Sequence, residues 1–438
     1  MGSDTIVAVS TPRGVGGVAV VRLSGPQARE MALRHLSVDA LEPRHSHFAR
    51  FSDGGSLIDE VLAVWFPAPH SYTGEEMVEI SCHGSLYVQQ AIVQALLDDG
   101  ARLAEPGEFT MRAFLGGKLN LSQAEAVADL IDAVTPVQHR LAVSQLRGGY
   151  ARKLNDLRKR LLDLTALLEL ELDFSQEDVE FADRSQLRQT LCELAAEVER
   201  LLASFSLGNT LKRGIPVAIV GRPNAGKSSL LNALLDDDRA LVSDIPGTTR
   251  DTIEETLTLD GITFRFIDTA GLRSSSDAIE AMGVERSRKA VADAEVVLYV
   301  HDATTPWQAP DVDLDGKQVI YVNNKSDLPV AASVPSPSIN LSARTKDGIA
   351  QLEAMFVERY QPRLSGDAPL LSNERHYGAL LHVAKAIAAA SRALDEAIPS
   401  DLVAVDLRDA LYHLGTITGE VSSDELLTNI FSRFCIGK

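Results

Sequence analysis

The sequence has few cysteines, no excess of positive charge and no long apolar run. Three cysteines among 438 residues exclude a disulfide framework, and their odd number suits a reducing compartment. No apolar stretch approaches the roughly 18 residues that a membrane-spanning helix needs. The opening residues, MGSDTIVAVS, place an acid before any base and lack a small-residue cleavage site, so we expect no secretory signal. These absences predict a cytoplasmic protein without a membrane segment.

Acidic residues clearly outnumber basic ones. The chain has 42 Lys and Arg against 61 Asp and Glu, a formal net charge of −19. This balance excludes general coating of nucleic acid by a positive field, but it leaves open RNA binding through a local basic patch or a partner's surface. Hydrophobic residues make up 45% of the chain, enough for sizeable cores, and the length suggests about three domains.

Three patterns of residues succeed one another along the chain. Over residues 1–118, β-branched runs such as TIVAVS, VAVVRLSG, VLAVWF and MVEISCHG alternate with turns and helical pieces, which predicts an α+β domain. Over residues 119–212, apolar residues recur at three- and four-residue steps, the period of long amphipathic helices. Residues 365–438 are helical in character again.

Strand and helix patterns alternate over residues 213–364. The runs PVAIVG, TFRFI, VVLYVHD, KQVIYVN and SIN predict a mostly parallel, doubly wound sheet with helices on both faces. Because helical segments flank this α/β unit, we interpret it as an insertion into one helical domain, with two separate helical domains as the alternative. The predicted fold class is therefore multidomain, α/β plus all-α.

The sharpest motif is GRPNAGKS, residues 221–228, which matches G-x-x-x-x-G-K-S/T between a predicted strand and a predicted helix. In such a P-loop, glycines let backbone N–H groups surround the phosphates. Lys227 would neutralise the β- and γ-phosphates, and the Ser228 hydroxyl would ligate Mg²⁺. A tight turn with an exposed lysine is the plain structural alternative.

A second motif, DTAG at residues 268–271, follows the strand TFRFI. Asp268 can hold Mg²⁺ through water, and the Gly271 N–H can meet the γ-phosphate. Between these two motifs lies SDIPGTTRD, where a switch loop must supply a threonine to Mg²⁺. Thr248 and Thr249 both qualify by chemistry.

Two further motifs identify the base. NKSD, residues 324–327, ends a strand, and the Asp327 carboxylate can accept from the ring N–H and exocyclic amine of guanine. Adenine lacks that donor pair, so it would leave the carboxylate unpaired. Lys325 can lie along the base plane, and LSAR offers the Ala343 N–H to the guanine carbonyl. The combination predicts GTP and excludes ATP.

The residues expected to contact the nucleotide lie in these motifs and in the switch loop. They are Asn224, Ala225, Gly226, Lys227, Ser228, Ser229, Ser243, Thr248, Thr249, Asp268, Thr269, Ala270, Gly271, Asn324, Lys325, Asp327, Ser342, Ala343 and Arg344. The residue after DTAG is Leu272, which cannot orient the attacking water as the glutamine of Ras-like switches does. Spacing alone leaves four polar candidates for that role: Arg273, Glu280, Glu285 and Arg286.

With GRPNAGKSSL, DIPGTTRD, DTAGLR, GVER and the CIGK segment at 435–438, the chain resembles the MnmE (also TrmE) family of tRNA-modification GTPases. The resemblance covers essentially the whole sequence, including SYTGEE and PGEFTMRAFLGGKLNLSQAEA. The GTP-binding motifs alone would also fit a ribosome-assembly GTPase, which is the alternative function. A dynamin-like membrane remodeller is disfavoured because a basic amphipathic or apolar anchor is missing.

The resemblance implies an N-terminal folate-binding and dimerising domain, a helical domain and an inserted Ras-like G domain. It implies a homodimer that joins the flavoprotein MnmG in a heterotetramer, with FAD supplied only by that partner. Together they would add a carboxymethylaminomethyl or aminomethyl group to carbon 5 of the wobble uridine of certain tRNAs. GTP hydrolysis would depend on K⁺ and on dimerisation of the G domains.

The resemblance also implies individual roles in the G domain. K⁺ would be held by Asn224, the carbonyls of Ser243 and Ile245, and Thr248. A monovalent cation beside the β–γ bridge would act as an arginine finger does. Thr249 would then join Ser228 on Mg²⁺, and Glu285 of GVER would orient the attacking water.

In the N-terminal domain the resemblance implies a site for a 5-formyl- or 5,10-methylene-tetrahydrofolate. Arg22, Glu79, Lys118 and Lys438 would bind it, since basic groups suit the glutamate carboxylates and an acid suits the pterin N–H edge. Cys435 would act in the modification chemistry, with a structural thiol as the alternative. Nearby Arg433 and Lys438 would favour its thiolate.

Overall fold

The computed structural model describes residues 4–173, 184–235, 255–267, 288–330, 334–360, 370–396, 398–432 and 434–437. The chain divides into two compact units. The first unit comprises Met1–Asp132, Gln145–Leu194 and His382–Lys438, and the second comprises Ala133–Ser144 and Ala195–Leu381. The four-part division expected from the sequence is finer than this and stays a prediction.

A six-stranded sheet forms the centre of the N-terminal part of the first unit. Its strands are β1 (Ile6–Val9), β2 (Gly16–Ser24), β3 (Ser46–Asp53), β4 (Ser56–Phe66), β5 (Met77–Gly84) and β6 (Arg102–Leu103). They lie in the order β3-β4-β5-β2-β1-β6. Neighbours are antiparallel except β1 and β6, which are parallel.

Two helices, α1 (Ala28–His35) and α2 (Leu86–Asp98), share one apolar core with this sheet. Val21 of β2 is buried in that core together with Ile92 of α2. Successive side chains of a strand point to opposite faces, so Arg22 lies on the other face of the sheet. The predicted α+β domain is confirmed, and the pairing of β2 with β5 sets Arg22 directly opposite Glu79.

Further helices of the described residues are numbered in chain order across both units. They are α3 (Glu108–Leu115), α4 (Leu121–Asp132), α5 (Pro136–Leu146), α6 (Gly149–Asp173), α7 (Arg184–Ala203), α8 (Phe205–Arg213), α9 (Lys227–Leu235), α10 (Ile349–Tyr360), α11 (Glu374–Asp395), α12 (Ser400–Thr418) and α13 (Asp424–Phe431). Leucines of α6 are buried at the three- and four-residue steps that the sequence shows, for example Leu154, Leu157 and Leu161. This confirms the predicted amphipathic helix.

The second unit contains another six-stranded sheet. Its strands are β7 (Ile215–Val220), β8 (Glu255–Leu259), β9 (Ile262–Phe266), β10 (Val296–Asp302), β11 (Gln318–Asn324) and β12 (Ser338–Asn340). They lie in the order β12-β11-β10-β7-β9-β8, and only β8 runs antiparallel to its neighbour. The mostly parallel sheet that the sequence predicts is confirmed.

Helices cover both faces of this second sheet. Leu230 of α9 and Leu352 of α10 belong to one apolar core, whereas Val291, within the helical residues 288–293, belongs to the core on the other face. Since the parallel strands all point one way, the loops after their carboxyl ends meet at one edge, the usual place for a ligand in such a sheet. Within the described ranges, no helix is both long and apolar enough to cross a membrane.

Candidate nucleotide-binding site

The P-loop predicted at residues 221–228 connects β7 to α9, as the motif requires. Both of its glycines have positive φ angles, +146° at Gly221 and +94° at Gly226. A Cβ at Gly221 would lie 2.2 Å from the carbonyl oxygen of Val300, and one at Gly226 would lie 2.1 Å from Nδ2 of Asn324. Only glycine fits at either position, so the loop can pack tightly against β10 and β11.

Lys227 begins α9 and folds back over the loop. Its ammonium group donates to the carbonyl oxygens of Gly221 at 2.8 Å and Arg222 at 2.9 Å. Burial lowers the pKa of Lys227, because a partly desolvated ammonium loses some of its hydration. Ser228 and Ser229 follow in the first turn, on the exposed side of the helix. Together, the cation and the helix N-terminus form a site suited to phosphate.

Asn324, the last residue of β11, joins the P-loop to the segment after β12. Its side chain is 2% exposed. Nδ2 donates to the carbonyl of Ala225 at 2.9 Å, and Oδ1 accepts from the backbone N–H of Ala343 at 3.0 Å. One buried amide therefore holds together three predicted motifs, of which the P-loop lies 99 residues before Asn324 and LSAR lies 19 residues after it. The N–H of Ala343, predicted to face the guanine carbonyl, has Asn324 as its partner here.

Lys325 links the P-loop to the carboxyl end of β10. It adopts a φ of +64°, and its Nζ donates to the carbonyl oxygen of Asn224 at 2.9 Å and to Oδ2 of Asp302 at 2.6 Å. Asn224 also has a positive φ, +61°. Burial raises the pKa of Asp302, but its hydrogen bonds to Lys325 and Thr304 more than offset this, so the pKa is lowered overall. Asp302 is not among the predicted site residues, although an acid at the carboxyl end of the buried strand VVLYVHD is a usable signal.

Asp327 is held by the segment after β12. Its Oδ1 accepts from the hydroxyl of Ser342 at 2.7 Å, and its Oδ2 accepts from Nη2 of Arg344 at 2.6 Å. The Ser342 hydrogen bond is the main cause of the lowered pKa of Asp327, with Arg344 adding to it. The group is therefore a carboxylate at neutral pH and can act only as a hydrogen-bond acceptor.

The structure thus brings together the predicted nucleotide residues of the P-loop, NKSD and LSAR motifs. The other predicted positions, in the switch loop, in DTAG and in GVER, lie outside the described residues. They are Ser243, Ile245, Thr248, Thr249, Asp268, Thr269, Ala270, Gly271 and Glu285.

A second cluster, on the first unit, is centred on Arg22. Its Nε and Nη2 donate to Oε1 of Glu79 at 2.9 and 2.7 Å, and Nη1 lies 3.5 Å from the carbonyl oxygen of Gly437. The guanidinium carbon lies 5.3 Å from the ring centre of Tyr72 and 5.5 Å from that of Phe109, within cation–π range. Two of the predicted folate residues, Arg22 and Glu79, are therefore in direct contact.

The other two predicted folate residues have different outcomes. Nζ of Lys118 donates to the carbonyl oxygen of Pro69 at 2.9 Å, and its aliphatic chain packs over Gly74. Lys438 lies outside the described residues. The structure therefore gives Lys118 a local partner and does not join it to the Arg22–Glu79 pair through any contact described for it.

The segment before Lys438 is attached to the N-terminal part of the first unit. Ile436 forms a β-bridge with Pro106, and the backbone N–H of Gly107 donates to the carbonyl of Cys435 at 3.4 Å. The Cys435 residue is exposed. By contrast, Cys82 is buried, and its thiol pKa is raised to about 11, mainly by burial. Of these two cysteines, Cys435 is the one accessible to a substrate.

Comparisons with known proteins cover nearly the whole chain. Residues 5–118 match the family model "GTP-binding protein TrmE N-terminus", and residues 121–435 match the model "MnmE helical domain". A Parabacteroides distasonis protein is 47% identical over 460 residues, covering 99% of this chain and 100% of its own length. A Cytophaga hutchinsonii protein is 46% identical over 452 residues, covering 100% and 98%. Both relatives carry the name tRNA modification GTPase MnmE.

Proposed function

This chain belongs to the MnmE family of tRNA modification GTPases, and from that premise we propose that it uses GTP hydrolysis to drive modification of the wobble uridine of certain tRNAs. The product would carry a carboxymethylaminomethyl or aminomethyl group on carbon 5. The observation that carries the proposal is the Asn324 bridge, which assembles phosphate-binding and base-reading segments into one site. A tRNA substrate also supports a cytoplasmic location.

GTP would bind along the carboxyl edge of the second sheet. Lys227 and the N-terminus of α9 would hold the β- and γ-phosphates, and Asp327 would accept from the guanine N–H groups. Ser228 is an exposed residue in the first turn of α9, and its hydroxyl suits Mg²⁺, which prefers oxygen ligands. Thr249 and Asp268, from the segments between the described ranges, would complete that metal site.

The position of Asn224 also suits a ligand of a potassium ion. The carbonyl of Asn224 is held by Lys325, and its backbone is fixed at a positive φ, so its side chain starts from a defined position. Ser243, Ile245 and Thr248 would supply the other oxygen ligands. The cation would stabilise charge that develops on the phosphates, and Glu285 would orient the attacking water.

Replacing K⁺ by Na⁺ at constant ionic strength is expected to slow GTP hydrolysis about tenfold or more, which corresponds to a loss of about 1.4 kcal/mol or more of transition-state stabilisation. Phosphate release under saturating GTP measures the rate. The Kd for GDP, measured in both salts, is expected to change little, because the cation acts on the transition state. Equal hydrolysis rates in the two salts would contradict a potassium site.

The Arg22 cluster supports the proposed folate site in the first unit. A carboxylate paired with a guanidinium that packs near two aromatic rings offers an acceptor for the pterin N–H edge of a folate. Because Arg22 and Glu79 are in direct contact, both would serve that end of the molecule, and its glutamate carboxylates would be left to the lysines. Cys435 follows as an exposed thiol in the segment whose Gly437 reaches Arg22. We place the one-carbon chemistry here, with Lys118 and Lys438 as further folate ligands.

Partners complete the proposal. Phe48 and Leu62 are paired across β3 and β4 and remain 65% and 47% exposed, and such an exposed apolar pair suits a protein interface. This supports a homodimer formed through the N-terminal sheet. The flavoprotein MnmG would join it in a heterotetramer and supply FAD.

Nucleoside mass spectrometry of tRNA tests the proposed function. Cells that lack this gene are expected to lose the 5-(carboxymethyl)aminomethyl-type uridines, and the wild-type gene should restore them. A Lys227→Ala variant, which removes the phosphate-binding ammonium, should fail to restore them. Unchanged modified nucleosides in cells without the gene would overturn the proposal.

A further inference from the structure

The carboxylate that would read guanine already has a charged partner. Nη2 of Arg344 lies 2.6 Å from Oδ2 of Asp327, while Ser342 occupies Oδ1 at 2.7 Å. The Arg344 side chain is 79% exposed and that of Asp327 is 14% exposed. Arg344 thus reaches from solvent onto the acid, whereas Ser342 supports it from within the fold.

The partner resembles the expected ligand in its chemistry. Guanine presents a ring N–H and an amine N–H on a carbon bonded to three nitrogens, and this is the arrangement of an arginine guanidinium. Both groups donate parallel hydrogen bonds to a carboxylate. Guanine needs both oxygens of Asp327, so one of its donors must displace Arg344 from Oδ2 or share that oxygen with it. Either outcome weakens one of the two interactions.

We propose that Arg344 is an affinity-determining residue that competes internally with guanine for the Asp327 carboxylate. This inference rests on the guanine recognition in the proposed function, and it implies that Arg344 lowers the affinity for guanine nucleotides. When the base leaves, Arg344 restores a partner to Oδ2, so dissociation leaves no unpaired acceptor. Ser342 differs from Arg344 because it is buried and holds Oδ1 from within the fold, whereas Arg344 reaches Oδ2 from the solvent side.

The test is the affinity of the Arg344→Ala variant of the full chain for a fluorescent GDP analogue. Because an exposed ion pair is weak, the Kd is expected to fall by no more than about fivefold, and dissociation is expected to slow accordingly. Lys289→Ala is the matched control, since it removes one exposed positive charge from the helical residues 288–293, which precede β10. Its Kd should equal that of the wild type.

A second comparison shows whether Arg344 acts through Asp327. In an Asp327→Asn background, titrated with xanthosine diphosphate, the further change Arg344→Ala is expected to give no comparable gain in affinity. Unchanged or weaker GDP binding by Arg344→Ala would overturn this inference alone, and so would a gain that persists in the asparagine background. Failure of the wild type to bind GDP would overturn the proposed function with it.

Discussion

Asp327→Asn is expected to weaken GTP and GDP binding about a thousandfold and to give the chain affinity for xanthosine nucleotides. A site built to pair a polar group rejects a mismatched partner by about this factor or more. The asparagine amide keeps an oxygen for Ser342, but its NH₂ group meets the N–H donors of guanine. Xanthine carries a carbonyl at C2, where guanine carries its amine, and this carbonyl can accept a hydrogen bond from the asparagine amide. Competition between GTP and XTP for a fluorescent nucleotide measures the exchange of specificity.

The matched control for this change lies in the same segment. Asp347 is exposed, and its Oδ2 accepts only from the hydroxyl of Thr345 among the bonds described for that carboxylate. Asp347→Asn removes the same charge, and its preference for GTP is expected to equal that of the wild type. If Asp327→Asn also kept its preference for GTP, another group would recognise the base, and the predicted role of NKSD would be contradicted.

The nucleotide site could be predicted from sequence because its parts are local. A glycine is required wherever the P-loop backbone must approach a neighbouring strand, so the spacing of Gly221 and Gly226 already describes the loop. Parallel strands bring their carboxyl ends to one edge, so motifs that follow those strands had to meet. The short buried strands that precede the motifs were also recognisable, because each is a continuous apolar run in the sequence.

The contacts across the site could not be predicted in this way. Asn324 bonds to Ala225, and Arg344 bonds to Asp327. The periodicity of apolar residues predicts helices and strands, but it does not predict which side chains meet across the fold. Strands β3 and β8 were also missed. The sequence of β3, SHFARFSD, does not alternate regularly between polar and apolar residues, since Phe48 lies beside Arg50 on the exposed face, opposite the buried Ala49 and Phe51. Strand β8 takes its place only through the hairpin with β9.

A long-range contact also underlies the prediction for the first unit. Gly437 has a φ of +96°, and a Cβ there would lie 2.2 Å from the carbonyl oxygen of Val9 and 3.0 Å from the Cα of Ser10. Those are backbone atoms at the end of a sheet strand, which cannot move aside cheaply. Gly437→Ala is therefore expected to detach the segment that carries Cys435 and to break its bridge to Pro106.

If Cys435 and Arg22 act together on the one-carbon group, this single methyl group should abolish tRNA modification. Modified wobble uridine in cells that carry only Gly437→Ala is expected to fall to the level of cells without the gene, while the Kd for GDP stays within about twofold. Gly54→Ala is the matched control: Gly54 has a φ of +53° and nothing within 4 Å of its Cβ position. It carries the strain of a positive φ, about 1–2 kcal/mol, without the collision, and should support normal modification. If Gly437→Ala supported normal modification, the attachment of the segment that carries Cys435 would not be needed for the reaction.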